Sequence, residues 1–515
     1  MISIAVRSIR GAIARFSPTA SFPYSPLTDA NSHSEPPSPG GSSSGSQSKS
    51  KSIFARLLAL LFFLLPSFVQ RRLRPNDFKH RRIYPTSWLD GLRGVASLIV
   101  FFCHFTEKHA AWFTARAYGI PDENDNVPSS PLQLPFVRVI YSGRPMVHIF
   151  FVISGFVLSL KSLKQARKRD YDGLHRTLSS SVFRRGFRLF LPTTASTFII
   201  MVMIRLGWTG SPLPTLWEQV VDWKNAVWRI TFSWQWDITQ ILPYDVHLWT
   251  IPIEFSNSLL LFIVLTGLSR MKTYLRLASL LAIMVYCLKC GHWAAFEFLG
   301  GMGLAEIGLI QEARRERITS VMQDKEASDM EASVASDSTS TSMATRLFKT
   351  FLVGNIIFAL FVAGWPNQKA DITPGMSLLW HNTMEPFFTM GGDLVSFPWY
   401  ALGAMQIVAA LQQIKMLQNI FVTPLAQYLA DISYALYLVH GPVLDVFSHR
   451  WMPLVWSLVG GSNEAGVLGR LVAWVVGVVA LLVPVVWASD VFWRTIDIKS
   501  VELAHWIEAR CIRDE

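Results

Sequence analysis

The sequence has few charges and few cysteines. Asp, Glu, Lys and Arg make up 16% of its 515 residues, whereas soluble domains carry roughly 25%. Of the four cysteines, Cys103, Cys287 and Cys290 fall in or beside apolar runs, and Cys511 lies in the tail. This distribution argues against a disulfide framework, and the Cys287/Cys290 pair lacks the second pair that a zinc site requires. The absence of any Asn-x-Ser/Thr sequon also argues against a glycosylated exterior.

Apolar residues dominate what is present. They form 51% of the chain, and long apolar runs recur over almost its whole length. Only helices and closed barrels satisfy their backbone in lipid, so we predict an all-α, polytopic transmembrane helical bundle. The net charge of +11 is assigned to cytosolic loops and anionic lipid headgroups rather than to nucleic acid. About ten spans of suitable length are predicted, at 88–105, 145–163, 189–206, 248–268, 274–290, 292–311, 347–364, 394–413, 429–448 and 468–489.

Basic residues in the short loops set the predicted orientation. Lys and Arg accumulate before the first span and in alternate loops after it, and such loops stay in the cytosol. An even number of spans with both termini cytosolic follows. Composition then divides the chain into four predicted regions. They are a disordered N-terminal tail at 1–52, a basic and amphipathic membrane-proximal segment at 53–83, a transmembrane domain at 84–490 with a disordered cytosolic loop at 312–346, and a cytosolic C-terminal tail at 491–515.

The first predicted span carries an unusual polar stripe. Trp88–Phe105 is apolar enough to enter a bilayer, yet it contains Asp90, Arg93 and His104. Ionisable groups are costly in a membrane helix and mark functional sites. Arg93 and His104 are eleven residues apart, which places them on nearly one helical face about 16 Å apart along the axis. Asp90 lies within ion-pairing reach of Arg93.

Other ionisable residues fall at matching depths of the predicted spans. With the orientation above, five groups from four spans converge on the exterior half: His104, His148, His247, Glu254 and His440. The cytosolic half carries Arg184, Arg185 and Arg188 just before Pro192. The pattern predicts an asymmetric site with a His/Glu pocket above and an arginine cluster below.

Each of these residues also has a purely structural interpretation. An intramembrane histidine can serve as a hydrogen-bond partner between helices, and His247 can be an interfacial residue beside Trp249. The arginines can act as a positive-inside stop, and Asp90–Arg93 can be a structural pair. The convergence of five polar groups at one depth favours a functional site over separate packing accidents.

The chemistry of these groups points to group transfer. A histidine near neutrality can take a proton from a hydroxyl, and a nearby carboxylate can orient it. Arginine binds phosphate bidentately. We therefore predict acyl-CoA as a cytosolic donor and a hydroxyl acceptor reached from the membrane or the lumen, with no metal cofactor.

Five motifs in order resemble the acyltransferase-3 family of integral membrane O-acyltransferases. They are LDGLRGxAxxxVxxxH at 89–104, FFVISGF at 150–156, RRxxRxxxP at 184–192, LWTIPIEF at 248–255 and ISYALYLVHGP at 432–442. The resemblance covers about residues 84–490, and the Ser-rich terminus and long loops resemble the fungal branch. It implies ten spans and transfer of an acyl group, commonly acetyl from CoA, to hydroxyls of carbohydrates, lipids or secondary metabolites.

The resemblance also implies roles for individual residues. His104 matches the catalytic histidine of the family and Arg93 its partner arginine, while Glu254 matches a glutamate assigned here to assist catalysis. Three further positions match the acyl-donor motif or adjoin it: Arg184, Arg185 and Arg188. The remaining site residues are assigned to the substrate: His148, Ser154, His247, Tyr437 and His440.

The sequence departs from the family pattern at three places. His148 stands where the family often has Asp, and Glu254-Phe255 stands where it often has two consecutive acids. One extra residue precedes Pro192. The loss of the second acid argues against a mechanism that needs two carboxylates at this point.

Two functions from different classes remain open at the level of sequence. The first is an O-acyltransferase in an endomembrane or the plasma membrane. The alternative is a membrane transporter or exporter of a small amphipathic or anionic molecule, because buried ionisable groups also mark substrate pathways. A retained fold acting only as a sensor or scaffold is disfavoured by the intact set of His104, Arg93 and Glu254.

Overall fold

The structure is a computed structural model, and it describes residues 49–77, 81–121, 127–234, 242–328, 343–462 and 464–512. Within these residues the regular elements are all helices, which confirms the all-α prediction. The predicted N-terminal tail up to residue 48 and the segment 329–342 of the predicted 312–346 loop lie outside the described residues.

The helices vary from single turns to spans longer than a bilayer is thick. In chain order they are α1 (Lys49–Leu64), α2 (Ser67–Leu73), α3 (Ser87–His109), α4 (Ala111–Thr114), α5 (Pro135–Arg138), α6 (Gly143–Lys168), α7 (Tyr171–Arg205), α8 (Leu216–Thr231), α9 (Thr250–Leu268), α10 (Thr273–Lys289), α11 (Trp293–Ser328), α12 (Met343–Ala363), α13 (Met376–His381), α14 (Phe387–Met390), α15 (Phe397–Gln413), α16 (Lys415–Phe421), α17 (Pro424–Ser457), α18 (Val467–Phe492) and α19 (Ile498–Cys511). Short 3₁₀ and π turns connect several of them.

The described part of residues 1–83 is a unit by itself, made of α1 and α2. Pro66 interrupts the helical run between them, since proline cannot donate the hydrogen bond that would continue it. The Gln70 side-chain amide donates to the carbonyl oxygens of Phe62, Phe63 and Leu65, at 3.0, 3.1 and 2.7 Å. These bonds satisfy carbonyls that the end of α1 leaves free.

Each of the ten predicted spans overlaps a helix of the second unit, residues 84–515, and a span that runs past the end of its helix does so by one to three residues. Among the described residues, eight helices are long and apolar enough to cross a membrane. The two predicted spans outside that set are α10, which has 17 residues, and α17, whose hydropathy is lowered by Asp431, Ser433 and His440. The chain is a multi-pass helical bundle. Helix α11 continues to Ser328, past the start of the predicted 312–346 loop.

Close helix–helix packing in the bundle depends on small residues, as expected where lipid removes the hydrophobic drive for association. A Cβ atom at Gly155 on α6 would lie 2.0 Å from the carbonyl oxygen of Phe298 on α11. A Cβ atom at Gly301 on α11 would lie 2.1 Å from the carbonyl oxygen of Val152 on α6. Only glycine fits at these crossings, so α6 and α11 pack backbone to backbone.

Helix α3 packs against both α6 and α17. Its Gly94 packs so closely on α17 that a Cβ atom there would lie 2.4 Å from the backbone nitrogen of Ala430. Leu89 and Ala96 on α3 are fully buried. The polar residues of α3 therefore face neighbouring helices at fixed distances, and this contact positions the site described next.

Candidate active site

Three histidines from three elements meet at the C-terminal end of α3. His104 comes from α3, His247 from the 3₁₀ turn Val246–Trp249 before α9, and His440 from α17. The His104 ring centroid lies 4.0 Å from that of His247 and 5.2 Å from that of His440, and the latter two are 4.8 Å apart. We call these residues the histidine cluster. The structure thus brings together three of the five groups predicted to converge.

Local hydrogen bonds hold the histidine cluster in place. Asp245 caps the turn by accepting from the His247 backbone N–H at 2.9 Å, and its Oδ1 lies 2.6 Å from Nδ1 of the same histidine. Tyr437 donates to the His247 carbonyl oxygen and lies 2.6 Å from the Thr250 hydroxyl. Tyr437, predicted to bind substrate, therefore supports the turn that carries His247.

Close approach of the backbone brings His247 to His440. A Cβ atom at Gly441, the residue after His440, would lie 2.7 Å from Nδ1 of His247. Any larger side chain at residue 441 would displace the imidazole, so the glycine is what allows the two rings to meet.

Glu107 connects His104 to a polar group at the end of the bundle. Its Oε2 lies 3.4 Å from Nδ1 of His104. Its Oε1 accepts from the Asn367 amide at 3.1 Å and lies 3.8 Å from the Arg144 guanidinium. Arg144 in turn pairs with Asp393 at 3.1 Å. Glu107 is therefore fixed on both sides and presents one oxygen to His104.

Two cavities adjoin this carboxylate. The smaller, of about 20 Å³, is lined by Cys103, Glu107 and Arg144. The larger, of about 150 Å³, shares Arg144, Trp365 and Asn367 with it and extends to Trp380 and Asp393. The rings of Trp365 and Trp380 are inclined by 30° to each other, with centroids 6.4 Å apart. We call the larger space the tryptophan cavity.

A loop segment that is held by several hydrogen bonds lines the smaller cavity. The buried Arg138 guanidinium donates to the carbonyl oxygens of Thr114 at 2.8 Å, Ala115 at 3.4 Å and Arg116. The Tyr141 hydroxyl donates to the Leu132 carbonyl oxygen at 2.7 Å. Burial raises the pKa of Tyr141 to about 12 and lowers the pKa of Arg138.

Glu254 lies in a separate network with Arg185. The Arg185 Nη2 donates to Glu254 Oε1 at 2.7 Å, and its Nε donates to the Ser258 hydroxyl at 2.8 Å. The Ser154 hydroxyl donates to the same carboxylate oxygen at 3.2 Å. Ser154, predicted to bind substrate, and Glu254, predicted to assist His104, are thus joined to a predicted donor-binding arginine. The hydrogen bonds and ion pairs of Glu254 do not include His104.

The other predicted arginines differ in the hydrogen bonds and ion pairs that their guanidinium groups make. Arg93 lies 3.4 Å from Asp90 and donates to the Ala430 carbonyl oxygen at 3.4 Å, and its buried Nε has no partner among the described residues. Arg184 pairs with Glu508 of α19 at 3.0 Å. Arg188 is half-buried and makes no hydrogen bond or ion pair with the part of the chain that the structure describes. Its charge interacts electrostatically with that of Asp497. Of Arg184, Arg185 and Arg188, the last therefore has the guanidinium that is available to a ligand.

His148 lies apart from the histidine cluster. Its Nδ1 is hydrogen-bonded to Glu297 of α11, and both side chains are almost completely buried. The rings of Trp293, Phe397 and Tyr400 surround it, with centroids 4.8, 5.0 and 5.3 Å away. Such an enclosed pair has the character of a packing contact between helices.

Sequence reasoning missed the acidic partners of the histidines. Glu107 follows His104 by three residues, so helical spacing could have identified it, and Asp245 precedes His247 by two, as an N-cap residue does. Glu297 is distant in sequence from His148, and no local pattern indicates that pair. Among the described residues, the histidine cluster also brings three ring nitrogens within 4.8 Å of one another, a separation at which they could hold a metal ion.

Comparison with known proteins finds similarity to acyltransferases. The family model described as an acyltransferase domain matches residues 86–494. The O-acetyltransferase PaAT-1 of Phomopsis amygdali is 31% identical over 486 residues, covering 86% of this chain and 89% of that protein. The acyltransferase clz18 of Cochliobolus lunatus is 26% identical, covering 73% and 87% of the two chains. The acyltransferase R4 of Phoma sp. is 25% identical, covering 73% and 86%. No solved structure matches the chain.

Proposed function

The chain belongs to the acyltransferase family whose domain spans residues 86–494, and we propose that it transfers an acyl group from acyl-CoA to an acceptor hydroxyl. It is a multi-pass membrane acyltransferase. Acetyl is the first candidate for the acyl group, since one relative is named an O-acetyltransferase. The proposed acceptors are a carbohydrate, a lipid or a secondary metabolite.

His104 is the proposed general base. Its Nδ1 faces the Glu107 carboxylate, so in the neutral ring Nδ1 carries the proton and Nε2 keeps its lone pair. The acceptor hydroxyl gives its proton to Nε2 while its oxygen attacks the thioester carbonyl. The C–S bond then breaks, and the proton passes to the leaving CoA thiolate. This assignment makes Glu107, rather than the predicted Glu254, the carboxylate that orients the base.

Arg188 and Arg93 are the proposed contacts for the phosphates of CoA. Arg188 has no ion pair with the described residues, and the Nε of Arg93 is unpartnered. Arg185 donates hydrogen bonds to Glu254 and Ser258, so its proposed role is to shape the donor site. With the predicted orientation, these arginines lie toward the cytosol, where acyl-CoA is found.

One helix carries both halves of the proposed site, and this observation supports the function most directly. Arg93 and His104 share α3, with about 16 Å of helix between them. This separation is close to the reach expected of an extended pantetheine arm. The donor can therefore be held at its phosphate end while its thioester lies beside the base.

The tryptophan cavity is the proposed acceptor pocket. It shares Arg144 and Asn367 with the surroundings of Glu107, so it opens next to the residue that contacts His104. Its two tryptophan rings suit an apolar ring system, while Arg144 and Asp393 offer hydrogen bonds to hydroxyls.

Transfer of labelled acetyl to an acceptor tests the proposal. The full-length protein, purified in detergent, should consume acetyl-CoA, and His104→Ala should abolish transfer while still reaching its membrane. Wild-type activity in that variant would contradict the assignment. Mass spectrometry of acetylated products in a deletion strain against wild type identifies the acceptor. Solute flux without acetyl-CoA consumption would instead support the transporter.

A further inference from the structure

The histidine cluster has the arrangement of a metal site as well as of a base. Three imidazoles on three separate elements bring one ring nitrogen each within 4.8 Å of the others. A stack of aromatic rings alone would not require three histidines, and three imidazolium cations at this distance would repel one another. Three neutral imidazoles that bind one metal ion fit the arrangement better.

Each of the three rings has its Nδ1 engaged by an oxygen. Nδ1 of His247 faces Asp245 at 2.6 Å, and Nδ1 of His104 faces Glu107 at 3.4 Å. Nδ1 of His440 donates to the Leu436 carbonyl oxygen at 3.0 Å. Metal-binding histidines almost always donate their second nitrogen to a carboxylate or carbonyl in this way. The Nε2 nitrogens are then the ones with free lone pairs.

His440 supplies an independent sign that a ligand is missing. The side chain is 1% exposed, and its Nε2 has no hydrogen-bond partner among the described residues. Leaving a buried ring nitrogen without a partner is energetically unfavourable. A cation bound by the cluster would satisfy it together with the Nε2 nitrogens of His104 and His247.

We propose that His104, His247 and His440 bind a divalent transition metal of the zinc class. Neutral imidazole nitrogens suit Zn²⁺, Cu²⁺ and Ni²⁺, whereas Mg²⁺ and Ca²⁺ prefer oxygen. Tetrahedral zinc at about 2.1 Å from each nitrogen needs nitrogens roughly 3.4 Å apart, so the rings must rotate inward slightly. Cys103, His104 and Glu107 form a second candidate group that shares His104, and the test separates the two.

Metal binding here has a consequence that rests on the proposed function. Nε2 of His104 cannot coordinate a metal ion and accept the acceptor's proton at the same time. Zinc therefore blocks transfer reversibly, and a chelator restores it. The histidine cluster becomes a point at which metal availability controls the enzyme.

Direct binding measurements test the site without reference to activity. The full-length protein, purified without a polyhistidine tag, is titrated with Co²⁺, which gives a visible d–d band on tetrahedral coordination. Zn²⁺ should displace Co²⁺, whereas Mg²⁺ should not. His440→Ala and His247→Ala should abolish the band, and Asp245→Asn should weaken binding about tenfold because it removes the carboxylate behind a ligand.

Two matched variants define the site. His381→Asn removes an exposed histidine and should change nothing. Cys103→Ser should leave the Co²⁺ band unchanged, whereas its loss would assign the metal to the alternative group and overturn the proposal. Absence of the band in the wild type would also overturn it.

Activity measurements then test the consequence. Micromolar Zn²⁺ should inhibit acetyl transfer, with recovery in EDTA. Loss of activity in EDTA that zinc restores would contradict the blocking role. If no acetyl transfer is found at all, the Co²⁺ titration still decides the metal site, so its failure and that of the proposed function are distinguishable.

Discussion

The Arg185 guanidinium lies 2.7 Å from the Glu254 carboxylate, and this pair links two residues that sequence analysis placed in opposite halves of the site. Both are largely buried, with side chains 9% and 21% exposed. Removing one partner of a buried pair costs about 3–5 kcal/mol because the other charge is left uncompensated. Glu254→Ala should therefore lower the free energy of unfolding by about 3 kcal/mol, measured by thermal unfolding in detergent.

The double variant separates the cost of an unpaired buried charge from the loss of packing. Arg185→Met with Glu254→Leu replaces the pair with apolar groups, which is often nearly neutral for stability. Thermal stability should return toward that of the wild type. If the double variant is as unstable as Glu254→Ala alone, the loss of stability does not come from an uncompensated charge on Arg185.

Arg188 should bind the donor more directly than Arg185. Its guanidinium has no ion pair with the described residues, so phosphate can occupy it. Loss of one charge-assisted contact of about 1.5–3 kcal/mol should raise KM for acetyl-CoA in Arg188→Ala roughly 10- to 100-fold, without loss of thermal stability. Arg188→Lys should recover part of the affinity, since lysine keeps the charge but not the bidentate geometry. An unchanged KM in both variants would refute a donor contact.

Glu107 should act through His104. Removal of a general base typically costs about 10²–10⁴ in rate, so His104→Ala should lose activity to that extent with its fold intact. Glu107→Gln keeps the size and the hydrogen bond to Asn367 but not the negative charge beside His104. It should lower kcat by less than His104→Ala and leave KM for acetyl-CoA unchanged. Steady-state kinetics in both substrates check this, and an effect on KM alone would contradict the orienting role.

His148 should prove structural. Its ring is enclosed by Trp293, Phe397 and Tyr400 and hydrogen-bonded to Glu297. His148→Ala opens a cavity and leaves Glu297 buried without a partner, which should cost about 3 kcal/mol. Activity per folded molecule should stay near that of the wild type. A specific rise in KM for the acceptor, at unchanged stability, would restore the substrate-binding role predicted from sequence.

The sequence predicts the helices well because apolar length and period are local properties. The span around His104 could be placed from hydropathy, whereas polar residues lower the hydropathy of the helix around His440. Partner choice is different, because it depends on how helices rotate against one another. Glu254 faces Arg185 instead of His104, and His148 faces Glu297. The second pairing depends on backbone contacts between α6 and α11 such as that of Gly155 with Phe298, which no run of the sequence reveals.

The tryptophan cavity allows a test of acceptor binding that is independent of the donor site. Trp380 is half-buried, and its ring centroid lies 6.4 Å from that of Trp365. Trp380→Ala removes one wall of the cavity, and aromatic contacts of this kind contribute about 0.5–1.5 kcal/mol beyond the area they bury. KM for the acceptor should rise at least a few-fold while KM for acetyl-CoA stays constant.

Trp217→Ala is the matched control, since that side chain is 73% exposed and lies outside the cavity lining. Equal effects of the two substitutions, or a rise in KM for acetyl-CoA with Trp380→Ala, would place the acceptor elsewhere.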